Sequence, residues 1–268
     1  MTYAKNKSKS NRKRSNRTRK NRTRKNAKPL SKVPVSPAFS SRVKKVLIRE
    51  AENKTVIYTS PVADFNQQMN SSTDCLRLMP AVLQGDGESS RDGNVLTIKS
   101  LNIRGVLTFQ TGQPLIDNCR IGCRLLVLRA KRFVDWQQTQ TDFSANYTKL
   151  LEGVSTGFDG TLINYNAPIN TDYFSCVKDM RWTFTQSQIA GGASPGQVDT
   201  GNITKFINFN VPYTTGKKIQ YDQDYSLSEP VNFPYVMMVG WTMLNGTTPG
   251  ANTYLKFEYV SKLNFLDI

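Results

Sequence analysis

Residues 95–110 read VLTIKSLNIRGVLTFQ. From Leu101 on, every second position is apolar or bare: Leu101, Ile103, Gly105, Leu107 and Phe109. A period of two cannot gather apolar side chains on one side of a helix. It places them on one face of a half-buried antiparallel strand. The stretch from Tyr254 to Phe265 alternates in the same way, within a run at 252–265. Shorter β-type runs stand at 54–60, 120–130, 172–185, 203–212 and 233–244. Turn-rich segments divide them at 84–94 (QGDGESSRDGN), 189–201 and 245–252. A further strand is expected inside 143–165, and 143–152 is the one helix candidate in this region. About eight antiparallel strands with long loops predict an all-β fold, a two-sheet sandwich of jelly-roll type.

Ahead of the strands the texture is different. No acidic residue occurs before Glu50. Seventeen Lys and Arg stand at or before position 45: Lys5, Lys7, Lys9, Arg12, Lys13, Arg14, Arg17, Arg19, Lys20, Arg22, Arg24, Lys25, Lys28, Lys32, Arg42, Lys44 and Lys45. Taking these from the chain's 36 basic residues leaves 19 in 46–268, against all 20 acidic ones. The whole positive excess therefore sits at the N-terminal end. Residues 1–28 are nearly all Lys, Arg, Asn, Ser and Thr, with NRTRK repeated at 16–20 and 21–25. Such a segment cannot bury a core and is expected to be disordered when free. Its Arg forks match phosphate oxygens, and its short polar spacers let it follow an irregular backbone. The expected partner is nucleic acid, bound electrostatically and without sequence preference. Arg12, Lys13 and Arg14 also read as a weak nuclear import signal.

Pro29, Pro34 and Pro37 predict a stiff connector. Phe39, Val43, Val46 and Leu47 then fall at helical spacing, with Ser40 or Ser41 as N-cap, which predicts a short helix over about 39–49. The expected organisation is an arm and linker at 1–37 and one β domain at 38–268.

Several function classes are disfavoured. The chain has no histidine, so Ser-His-Asp and Cys-His nucleophiles and His-ligated metals are excluded. Four scattered cysteines make neither a disulfide framework nor a zinc set, although Cys119 and Cys123 form a C-x3-C pair. The most apolar stretch, Phe233 to Leu244, is interrupted by Pro234 and Gly240 and is too short to cross a bilayer. No apolar leader opens the chain, so the cytosol or nucleus is expected and membrane insertion is not. No enzyme activity and no cofactor are expected. Acidic loop clusters (Asp222, Asp224 and Glu229, or Asp86, Glu88 and Asp92) are open to two readings, a calcium site or solvated turns.

The basic arm, the helix running into a strand, and QGDGESSRDGNVLTIKSLNIRG at 84–105 together resemble the capsid proteins of circular Rep-encoding single-stranded DNA viruses. FINFNVPYTTGKKIQY at 206–221 is similar to the same family's seventh-strand region. The resemblance implies a single jelly roll assembled in roughly sixty copies as a T=1 icosahedral shell. It further implies a packaged single-stranded DNA genome, residence in the virion and host nucleus, and host import and cell-surface receptors as partners. At that copy number the arms would bring on the order of a thousand positive charges, suiting a genome of roughly one to a few thousand nucleotides. A satellite-like RNA virus coat, and a low-order basic-tailed nucleic-acid-binding protein outside any virus, are the alternatives. An enzyme or lectin on a β-sandwich would leave the arm unexplained.

Overall fold

The structure is a computed structural model. It describes residues 36–50, 52–60, 63–65, 67–109, 120–185, 187–188, 198–199, 204–222, 229–246 and 255–267. The chain divides into two units, 1–45 and 46–268. Positions Lys5 to Lys32, Cys119, Asp224 and most of the turn segment 189–201 lie outside the described residues.

Helix α1 spans Pro37–Glu50. Its cap is Ser36 rather than Ser40 or Ser41: the Ser36 Oγ accepts from the Phe39 amide at 3.2 Å, and its carbonyl from the Ser40 amide at 3.0 Å. Pro37 thus belongs to the helix and not to the connector. At the first helical position a proline loses no hydrogen bond, and its fixed φ already suits a helix. Phe39, Val43 and Val46 are all exposed.

The β unit begins with β1, Glu52–Thr59, and a short β2, Ala63–Phe65. These are followed by β3 (Leu76–Arg77), β4 (Val95–Phe109), β5 (Arg120–Ala130) and β6 (Phe174–Thr185). A small ribbon pairs β7, Ser187–Gln188, with β8, Val198–Asp199. The chain closes with β9 (Thr204–Asn210), β10 (Lys218–Gln220), β11 (Tyr235–Met243) and β12 (Leu255–Asp267).

Two antiparallel sheets result. The first runs β1–β12–β4–β10, with β2 sharing the β1 edge and β9 the β10 edge; the second runs β3–β11–β5–β6. If β1 with β2, and β9 with β10, each count as one lane, each sheet has four lanes. The pairings are then nested in chain order: first lane with last, second with seventh, third with sixth, fourth with fifth.

Alternation explains the core. In β4 the even spacing Leu101, Ile103, Leu107 and Phe109 turns inward, as do Leu255, Phe257, Leu263 and Phe265 of β12. These meet Ile121, Cys123, Leu125 and Val127 of β5 and Met237, Val239 and Trp241 of β11. Gly105 occupies an inward position for steric reasons. A Cβ there would lie 2.7 Å from Phe257 Cε2 and 2.8 Å from the Glu258 carbonyl, where the rings of Phe257 and Tyr259 stack at 5.1 Å. Polar groups inside are tied across the sheets: Trp241 Nε1 donates to the Phe65 carbonyl at 3.1 Å and Tyr259 OH to that of Arg77 at 2.6 Å.

Strands β5 and β11 are buried on both faces, because the segment between β5 and β6 covers the second sheet. This segment carries α2 (Trp136–Asn146), a 3₁₀ turn at Tyr147–Lys149 and α3 (Leu162–Asn166). It holds no strand of either sheet, so the strand expected within 143–165 is absent and the helix candidate is displaced toward the N-terminus. Asp135 sets the start of α2 by accepting from the Gln138 amide at 2.7 Å. Phe143, Leu150 and Phe158 pack onto Leu126, Leu128, Val236 and Met238. Arg124, also on this face and fully buried, forks onto Asp179 at 3.1 and 2.8 Å and donates to the Asn164 carbonyl at 2.8 Å. Among the described residues no helix is long and apolar enough to cross a membrane.

Candidate nucleic-acid interface

Of the basic positions singled out in the sequence, the described residues include Arg42, exposed on α1, and the helical backbone of Lys44 and Lys45. The others precede residue 36.

A second basic surface, invisible in the linear order of residues, emerges from the fold. The inward alternation of the first sheet leaves its other face open to solvent, and the register aligns outward residues into rows. One row is Ile57, Lys262, Asn102 and Asn210; the next is Thr59, Val260, Arg104 and Asn208; the next is Glu258, Val106 and Phe206. Lys256, Lys218 and Lys99 stand on the same face. Among the described side chains this face has five cations (Lys99, Arg104, Lys218, Lys256 and Lys262) against the single carboxylate of Glu258. Among the described residues none of the five enters an ion pair; the ion pairs there belong to Lys54, Arg77, Arg124 and Arg181.

Amides organise the middle of the face. Asn102 Nδ2 donates to Asn208 Oδ1 and Asn210 Oδ1, both at 3.1 Å, and Arg104 Nε donates to Asn102 Oδ1 at 3.2 Å. Beside them lies an open groove of about 540 Å³, lined by Thr59, Arg104, Val106, Phe206, Asn208 and Glu258, among others. Phe206 is 78 % exposed, an unusual state for an aromatic in the middle of a strand.

The C-terminal part of segment 84–94 clasps other parts of the β unit. Arg91 is fully buried over the Tyr221 ring, 4.3 Å from its centroid, and donates to the Gly93 carbonyl at 2.8 Å and Asn94 Oδ1 at 2.9 Å. Burial pushes the Tyr221 hydroxyl well above the usual tyrosine range, and Arg91 opposes that shift. Asp92 is held from the other side by Lys54 Nζ at 3.0 Å. The two parts of the chain that carry the resemblance, 84–105 and 206–221, therefore meet at the Arg91–Tyr221 contact.

Three of the acidic loop residues, Asp92, Asp222 and Glu229, are engaged within the chain. Glu229 pairs with Arg77 at 2.6 Å; burial raises its carboxyl above the ordinary range and Arg77 pulls it back. Asp222 has a partner of its own, and Asp92 is taken by Lys54. Among the described residues no group of three or more Cys, Asp or Glu is arranged to hold a metal. Among aromatics outside the strands, Phe158, Tyr221 and Phe233 are core residues, while Tyr165 and Tyr173 are half-buried. Cys123 lies between the sheets and Cys75 under the covering layer, both with burial-raised thiols, whereas Cys176 is exposed.

No protein-family model matches the chain, and no curated protein matches it.

Proposed function

We propose that the chain is the coat subunit of a small icosahedral virus-like particle, and that its arm packages a single-stranded DNA genome. The observation that carries this reading is the separation of charge: seventeen cations and no acid by residue 45, ahead of a body with 19 basic and 20 acidic residues. The nested strand pairing supports reading the sandwich as a jelly roll, an architecture common among viral shell subunits. A body near neutrality suits dense self-packing, because strongly cationic bodies would repel one another. Arms gathered inside a closed shell repel likewise until phosphates neutralise them, so cargo binding and closure are coupled. Binding releases condensed counterions and weakens steeply as salt rises.

Replacing Arg17, Arg19, Lys20, Arg22, Arg24 and Lys25 by glutamine tests the reading. Six fewer phosphate contacts should flatten the plot of log affinity against log salt by about 4 for a single strand. Retained genome packaging with an unchanged salt slope would contradict it.

A further inference from the structure

We infer that the open face of the first sheet is a second contact for single-stranded nucleic acid, in which a base stacks on Phe206 and phosphates meet Arg104 and Lys262. The inference rests on the packaging reading and adds to it a site on the folded body.

Three observations carry it. Phe206 projects from the middle of β9 with 78 % of its surface exposed, whereas its inward neighbours Ile207 and Phe209 are buried. A stacking platform needs such an aromatic: every base has a π-face, and stacking is indifferent to sequence. The charge is also right for a polyanion. Arg104 lies diagonally across the ladder from Phe206, since Val106 pairs with Phe206 and Arg104 with Asn208. Diagonal neighbours are roughly 7–8 Å apart, within reach of long side chains. Lys262 is next to Arg104 in the neighbouring row, diagonal to it across β12 and β4. Neither cation has a carboxylate partner among the described residues. Finally, the amides are set for polar contacts along a strand. Asn102 donates to the oxygens of Asn208 and Asn210, so on these exposed residues it is the Nδ2 groups that remain to donate.

A second copy of the chain is the competing occupant. It fits less well, because the buried centre of a protein interface is depleted in lysine and in unpaired charge. Here Arg104 and Glu258 line the groove, and the described side chains of the face carry five cations against that one carboxylate.

The test uses the full chain, oligo-dT and oligo-U of equal length, and an abasic strand with the same number of phosphates. At salt high enough to suppress the arm, Phe206→Ala should weaken oligo-dT binding about fivefold or more, as loss of one base–aromatic stack does. Phe206→Tyr should restore it, and the abasic strand should bind parent and variant alike. Arg104→Gln should reduce the salt slope by about 1 for every strand. Ultraviolet crosslinking should place base adducts on the peptide that contains Phe206; similar adducts with oligo-U would extend the contact to RNA.

Adducts confined to the arm, with Phe206→Ala binding oligo-dT like the parent, would overturn the inference and leave packaging by the arm intact. A change in sedimentation without a change in strand affinity would assign the face to a second copy and overturn it too. If the parent chain binds no strand at low salt, the packaging reading itself fails.

Discussion

The Nζ of Lys54, at the start of the first strand, lies 3.2 Å from Oδ2 of Asp267 at the end of the last, and both side chains are 3 % exposed. Asp92 and Glu52 complete the cluster at 3.0 and 3.5 Å. One buried cation thus joins the outermost strand, the C-terminal strand and the 84–94 turn.

Lys54→Met should cost about 3 kcal/mol or more, because it leaves a buried Asp267 carboxylate without its cation. Adding Asp267→Leu should recover much of that loss, as the orphaned charge is then gone. Burial lowers the Lys54 ammonium, but its hydrogen bonds to Asp92 and Asp267 outweigh that, and the net shift is upward from 10.5. A raised folded value means that the contribution is complete below pH 10.5 and disappears as pH rises beyond it. Urea titrations from neutral to strongly alkaline pH should show a decline in the parent that is shallower in Lys54→Met.

Gly105→Ala should destabilise the fold by about 1–3 kcal/mol, since the added methyl would overlap Phe257 and Tyr259 in the close-packed interior. Thermal unfolding measures this directly. The same substitution at Gly153, where a Cβ would meet nothing within 4 Å but φ is +72°, tests backbone strain alone.

Arg124→Lys should not replace Arg124. The fork bonds Asp179 through two nitrogens and reaches the Asn164 carbonyl with a third, a geometry that a single ammonium cannot reproduce. A loss of about 2 kcal/mol is expected, discounted because Asp179 keeps Arg181 as a partner. Hydrogen exchange should rise in α3, which that carbonyl anchors.

Among the described cysteines, Cys176 should react with a maleimide in the native state while Cys75 and Cys123 stay protected until unfolding. All three thiols are raised by burial, but only Cys176 is exposed to the reagent, while Cys75 and Cys123 are enclosed. Peptide mapping after brief labelling reads the outcome.

Much of the sandwich was legible from alternation and apolar runs. The runs at 95–110 and 120–130 became β4 and β5 with little change of boundary, the first through alternation from Leu101 to Phe109 and the second as a short, nearly continuous apolar run that is buried on both faces. What escaped was short or set by tertiary context. Leu76–Arg77 fills a whole lane of the second sheet with two residues, too few to alternate. The 143–165 segment holds β-branched and aromatic residues because it packs as a cover on that sheet, not because it extends. The arm announced itself through composition. The basic sheet face did not, because Arg104, Phe206 and Lys262 lie far apart in the chain and only strand register brings them side by side.

Sedimentation with negative-stain microscopy of the purified chain, followed by nuclease digestion of the nucleic acid recovered from it, tests the central claim most directly. Uniform particles of about 20 nm, the size expected for some sixty domains of this mass, are predicted, enclosing single-stranded DNA protected from added nuclease. A monomer or dimer that binds nucleic acid yet forms no particles at any salt, with or without added DNA, would contradict it.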